Sequence, residues 1–153
     1  MNNGIEVTID IEIMSQNLNT NRNVIITGAT GFIGGITTIE LKRHNYKVFG
    51  VDRVERNHLN EYFDEFYCGD FIDYESFLLI KRVNPIAIIH CAGTSLVGPS
   101  HLQPGAYFHN NVSRTNLLLD FLRNNLPKTK FIFSSSAAVY GAGYRDWETS
   151  GVS

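Results

Sequence analysis

The stretch Thr27-Gly-Ala-Thr-Gly-Phe-Ile-Gly-Gly35 most constrains the fold of this chain. It follows a short β-branched run, Asn23-Val-Ile-Ile-Thr27, and precedes a segment with helical apolar spacing, Phe32 to Asn45. A chain leaving a strand and entering a helix within a few residues needs backbone free to take φ > 0. Gly28, Gly31 and Gly34 supply that freedom. They also leave main chain with no Cβ in front of a helix N-terminus, whose unpaired N–H groups and partial positive charge suit a phosphate. The spacing is G-x-x-G-x-x-G, a variant of the dinucleotide fingerprint, in which the third glycine allows close helix–strand packing.

The acidic partner of that fingerprint is present. Asp52 ends the next apolar run, Lys47-Val-Phe-Gly-Val-Asp52, and lies 21 residues beyond Gly31, where about 20 is expected for a carboxylate that binds ribose hydroxyls. A carboxylate there repels a 2′-phosphate and favours NAD, whereas the adjacent Arg53 is the counter-signal. Read structurally, Asp52 is a turn residue.

From Asn23 onward strands and helices alternate. Strands are expected at NVIITG, KVFGVD, DEFYCGD, IAIIHCAG and KFIFSSS. Helices are expected from Phe32 with Ile33, Thr37 and Leu41 on one face, over YESFLLIKRVN up to Pro85, and over YFHNNVSRTNLLLDFLRNN up to Pro127. Strands apolar on both faces and separated by helices imply parallel pairing. The expected fold is therefore α/β, a doubly wound, Rossmann-like parallel sheet, cut off after its fifth strand. Residues 1–22 differ. Ile5, Val7, Ile9, Ile11 and Ile13 alternate with polar residues, and an Asn-rich linker follows. This is an N-terminal extension, either an added edge strand or a segment with no fixed partner, and Met14 offers an alternative start. Residues 23–153 are expected to form the dinucleotide-binding domain, incomplete and without a substrate lobe.

Composition narrows the class. In 153 residues with 43% apolar content and net charge −2, Lys and Arg form no stripe, so neither nucleic acid nor an anionic membrane is an expected partner. No run approaches the roughly 20 apolar residues of a membrane span. Cys68 and Cys91 read as reduced thiols of a cytoplasmic protein, and the five histidines show no metal-ligand spacing.

Taken in order, TGATGFIG, VD, GDFID, IIHCAG and FIFSSSAAVYG resemble the extended short-chain dehydrogenase/reductase family. The segment HCAGTSLVGPSHLQPGAYFHNNVSRTNLLLDFL is similar to that of UDP-glucose 4-epimerases, and the similarity spans residues 23–141. The resemblance implies NAD as cofactor, a UDP-hexose as substrate, transient oxidation at the sugar C4, and a homodimer of the full-length form. It assigns the pyrophosphate to Gly28, Gly31, Phe32, Ile33 and Gly34, and the adenosine ribose to Asp52. Asp70, with Phe71 beside it, takes the adenine amino group; read structurally, Asp70 is a strand-end cap. Cys91, Ala92 and Gly93 run along the cofactor. Asn110 steadies that region from the helix, unless it is an N-cap. Ser134 joins the cofactor-binding set, and Ser136 is the catalytic hydroxyl that bonds the reacting sugar oxygen.

Three departures stand out. Cys91 replaces an aromatic and Ser95 a phosphate-contacting lysine, and Arg114 replaces a small residue. The family's Tyr-x-x-x-Lys base normally falls some two dozen residues beyond the serine matched to Ser136. Only 17 residues follow here, and Tyr140 and Tyr144 have Tyr144 and Glu148 at +4. The expectation is an N-terminal portion inactive on its own, with Tyr140 packing in a turn. The alternatives are a related nucleotide-sugar dehydratase or reductase and a non-catalytic dinucleotide-binding module.

Overall fold

The computed structural model describes residues 21–94 and 102–135. The expected leader strand, Ser95, Ser136, Tyr140, Tyr144 and Glu148 lie outside the described residues.

Five parallel strands form one sheet in the order β3-β2-β1-β4-β5. They are β1 (Asn23–Thr27), β2 (Lys47–Asp52), β3 (Glu65–Cys68), β4 (Ala87–His90) and β5 (Lys130–Phe133). The helices between them are α1 (Phe32–Arg43), α2 (Tyr74–Val83) and a long segment made of α3 (Pro104–Phe108), a π turn (His109–Ser113) and α4 (Arg114–Asn125). A 3₁₀ turn, Asn57–Tyr62, leads into β3. The strand order reverses at β1, which pairs with β2 on one side (Thr27 opposite Val51) and β4 on the other (Thr27 opposite His90). Ligands of doubly wound sheets lie at the carboxyl ends of the strands at such a point. The parallel, doubly wound sheet is thus the one expected from the alternation of elements.

Side chains alternate across β1, as strand geometry requires, and both faces are covered. On one face Ile25, Val51 and Ile88 pack with Phe71, Leu79, Ile80, Val83, Leu118 and Leu122, beneath α2 and α4. On the other, Val24, Ile26, Ala29 and Val48 pack with Leu41, Phe63 and Phe66, on the side of α1.

The face of α1 differs from expectation. Ile33 and Ile36 are 52% and 55% exposed, and the buried positions are Gly34, Gly35 and Thr38. The cause is the closeness of approach. A Cβ on Gly34 would stand 2.1 Å from the Gly28 carbonyl oxygen, so nothing larger fits where the helix leaves the turn. Gly35 has a reason too: a Cβ there would meet Leu59 Cδ1 at 3.2 Å.

Helix ends follow their chemistry. Asn45 and Asn84 take positive φ (59° and 47°) just beyond α1 and α2, and Pro85 prevents α2 from continuing. Ahead of β1, the Asn21 side-chain amide donates to the Asn84 carbonyl at 2.6 Å, and the Arg22 guanidinium lies over the Tyr46 ring.

The two neighbouring glycines predict opposite tolerances. Gly34→Ala forces backbone apart and is expected to cost about 3 kcal/mol or more. Gly35→Ala displaces only the end of Leu59 and regains about 1 kcal/mol of helix propensity, so its net effect should stay within about 1 kcal/mol of zero. Urea unfolding midpoints of the two variants test this, and equal losses would refute the close-approach account.

Candidate functional site

The glycine turn is fixed from three sides. Gly28 adopts φ +68°, and a Cβ on it would fall 2.6 Å from the Ala92 nitrogen, so only glycine sits between β1 and the chain leaving β4. Its N–H donates to Val51 O at 2.9 Å, and the Cys91 N–H donates to Thr27 O at 2.9 Å. Gly31 N–H donates to Gly28 O at 3.1 Å and Gly31 occupies the N-cap of α1, with no side-chain cap and no acidic residue in the first turn. The first intrahelical bond is Gly35 N–H to Gly31 O, at 2.8 Å. The N–H groups of Phe32, Ile33 and Gly34 precede it and have no acceptor within the helix. Glycine backbone with uncapped donors suits an anion.

Asp52 ties the turn to β2. Its carboxylate accepts from Thr30 N–H at 2.9 Å, from Thr30 Oγ1 at 3.0 Å and from Val54 N–H at 3.3 Å. Thr30 Oγ1 also lies 2.7 Å from the Val54 carbonyl. The structural and the ligand-binding readings of Asp52 are compatible, because a carboxylate has about four acceptor positions.

A pocket opens at the carboxyl ends of β1, β2, β3 and β4. It is lined by Gly28 and Gly31, by Asp52 and Arg53, by Asp70 and Phe71, by Cys91, Ala92 and Gly93, and by Asn110 and Arg114. The structure thus gathers most of the residues that the sequence assigns to one ligand. Phe32 and Ile33 do not line it: their side chains are exposed, which leaves their backbone N–H groups as the available donors. Gly34 is buried against the turn. Ser134 is exposed beyond β5, where its N–H donates to His90 O at 3.0 Å and its side chain hydrogen-bonds the Cys91 thiol. Burial pushes the Cys91 thiol up, and the Ser134 hydrogen bond opposes that shift.

Several site residues escaped the sequence. Asn110 sits in the π turn and is not an N-cap; its amide reaches Thr94 Oγ1 at 3.4 Å. The steadying role belongs more to Asn111, whose Oδ1 accepts from Thr94 N–H at 2.8 Å and whose Nδ2 donates to Thr94 O at 2.9 Å. Two adjacent asparagines cannot be told apart without the helix phase. Asp70 caps the backbone beyond β3, its Oδ1 accepting from Ile72 N–H at 3.3 Å, and it also forms an ion pair with Arg114, four positions after Asn110 on the same helix. Phe71 packs edge-on against the His90 ring.

His90, at the end of β4, is 1% exposed and bonded at both ring nitrogens. Thr115 Oγ1 donates to Asn111 O at 2.9 Å, so its proton is committed. His90 Nε2 at 3.0 Å must therefore donate to Thr115 Oγ1, and Nδ1 accepts from Thr27 Oγ1 at 2.6 Å. The ring is neutral, and burial lowers its pKa from 6.5 to about 4. It joins β1, β4 and the long helix beneath the pocket floor. Among the described residues no three His, Cys, Asp or Glu side chains gather as a metal site, and no helix is long and apolar enough to cross a membrane.

A depressed histidine pKa means that the unfolded chain binds the proton more readily. The contribution is complete above about pH 6.5 and is lost as pH falls towards about 4, by at most about 3 kcal/mol. Urea midpoints measured across that window should fall steeply for the parent chain and less steeply for His90→Gln. Parallel profiles would refute the assignment.

Comparison with known proteins places this arrangement among relatives. The family model described as NAD dependent epimerase/dehydratase matches residues 24–151. UDP-glucose 4-epimerase of Yersinia pestis is 39% identical over 128 residues, covering 77% of this chain and 38% of that protein. The Bacillus subtilis enzyme of the same name is 34% identical over 128 residues, with the same coverage. Among solved structures, UDP-glucose 4-epimerase from Brucella ovis in complex with NAD matches with a TM-score of 0.71 and 33% identity, over 78% of this chain and 37% of that one. The Bifidobacterium longum enzyme in complex with NAD+ and UDP matches with a TM-score of 0.66 and 35% identity, over 78% of this chain and 38% of that one. The chain spans less than two-fifths of the length of the curated relatives it matches.

Proposed function

The chain belongs to the NAD dependent epimerase/dehydratase family, and from that premise we propose that it is the NAD-binding part of a UDP-hexose 4-epimerase, interconverting UDP-glucose and UDP-galactose. The observation that carries the reading is the pocket at the reversal of strand order, where Gly28, Gly31, Asp52, Asp70 and Asn110 converge. The side chains present fit a dinucleotide. A glycine cradle that any Cβ would fill faces uncapped helix donors, and a carboxylate with spare acceptor capacity stands one strand away.

In this reading the backbone N–H groups of Phe32, Ile33 and Gly34 receive the pyrophosphate, with Gly28 and Gly31 giving it access to the main chain. Asp52 accepts from the adenosine ribose hydroxyls, and Asp70 from the adenine amino group. Phe71 and Arg114 line that same part of the pocket. Cys91, Ala92 and Gly93 form the wall towards the nicotinamide, held by the hydrogen bonds of Asn111 and Asn110 to Thr94. Ser134 supports Cys91. When bound, NAD supplies reversible hydride acceptance, and the protein contributes position and electrostatics. Ser136 would donate a hydrogen bond to the sugar C4 oxygen and orient it.

No tyrosine among the 153 residues is followed by lysine four positions on, so the 153-residue chain is proposed to bind cofactor without turning over sugar nucleotide. The whole protein is proposed to act in the cytoplasm as a homodimer. Exposed Phe108, Val112 and Leu119 along the long helix offer apolar surface for such pairing.

Calorimetric titration of the 153-residue chain should show NAD binding at least tenfold tighter than NADP, because Asp52 repels a 2′-phosphate. Asp52→Asn should narrow that ratio, since it removes the charge and keeps an acceptor. Absence of NAD binding, or a preference for NADP, would overturn the cofactor reading.

A further inference from the structure

Arg114 lines the pocket, yet neither the glycine fingerprint nor the family resemblance gives it a role. Its guanidinium is drawn in from the long helix. The side chain is 19% exposed and pairs with Asp70, itself 16% exposed. It lies 5.8 Å over the Phe71 ring centroid. All three residues line the pocket. The Asp70 carboxylate is held from a second direction, since its Oδ1 accepts from Ile72 N–H at 3.3 Å. The surrounding backbone is braced as well: the Asp70 N–H donates to Asp73 Oδ2 at 2.8 Å. A partly desolvated, tethered ion pair of this kind fixes both side chains in one geometry, unlike an exposed pair such as Arg43–Glu40.

The pair sets an acceptor, Asp70, beside a donor, Arg114, on one wall. Adenine presents the complementary couple: a 6-amino donor flanked by ring-nitrogen acceptors. Hypoxanthine presents a 6-oxo acceptor instead, which faces a carboxylate unfavourably. We propose that Arg114 is a specificity-determining residue for the purine of the dinucleotide. It holds the Asp70 carboxylate facing the 6-position and itself donates to a ring nitrogen beside it. This rests on the dinucleotide reading above. The pinning matters as much as the contact. A carboxylate anchored by Arg114 cannot turn away from a 6-oxo group, whereas an unanchored one rotates towards water and the penalty falls.

The test is calorimetric titration of the 153-residue chain and its variants with NAD and with nicotinamide hypoxanthine dinucleotide. The parent chain should prefer NAD by tenfold or more. Arg114→Met keeps the stem and removes the donor. It should bind NAD roughly tenfold more weakly, the size expected for one hydrogen bond to a charged group, with the preference over the hypoxanthine analogue reduced. Arg114→Lys restores the charge as a point donor without the planar fork and should recover part of both quantities. Thermal melting of each variant shows that it is folded. If Arg114→Met binds NAD as tightly as the parent, or more tightly, or keeps the full preference, the proposal is overturned while the dinucleotide reading stands. A parent chain that binds neither dinucleotide overturns that reading, and this proposal with it.

Discussion

Everything at the carboxyl edge of this sheet depends on one contact between main-chain groups. Gly34 sits so close to the carbonyl of Gly28 that a methyl group would lie 2.1 Å from its oxygen. That approach brings the first turn of α1 onto the end of β1. It also decides which side of α1 faces the sheet. Small residues take the buried positions, and the larger Ile33 and Ile36 are turned outward. The opposite wall makes a matching demand, because Gly28 leaves no room for a side chain beside Ala92. The cleft is therefore shaped by backbone from both sides before any functional side chain is placed.

The polar residues then fall into two tiers. The lower tier is the buried chain Thr27–His90–Thr115–Asn111, which locks two strands and the long helix together without reaching the cleft itself. The upper tier consists of Asp52, Asp70, Asn110 and Arg114, which line it. Asn111 links the tiers, because it holds Thr94 with its side chain and receives the Thr115 proton on its carbonyl. A neutral histidine is well suited to the lower tier, since it can donate at one nitrogen and accept at the other.

Much of this was legible in the sequence. The five strands and their parallel arrangement follow from apolar runs separated by helical spacing. The glycine turn and Asp52 follow from spacing. Asp70, Asn110, Cys91, Ala92 and Gly93 were placed through resemblance, and they converge in the pocket. What could not be read were features set by three-dimensional phase. A helical wheel favours Ile33 as a core residue, but it cannot register that the helix begins too near the sheet for isoleucine. The division of labour between Asn110 and Asn111 turns on a π turn that no composition signals. Arg114 was visible as a departure from a small residue, but its pairing with Asp70 links positions 44 residues apart. Nor does Gly35 announce that Leu59 will lie against it.

The hydrogen bonds from Thr30 to Asp52 have a consequence for how the cleft fills. In the proposed cofactor complex, the loop that would meet the pyrophosphate and the carboxylate that would meet the adjoining ribose are mechanically a single unit. Half-molecules offered separately would each have to order that shared unit alone, whereas a joined molecule orders it once. Fragment affinities should therefore combine to something weaker than the intact compound, and the excess measures the stiffness of this short bridge.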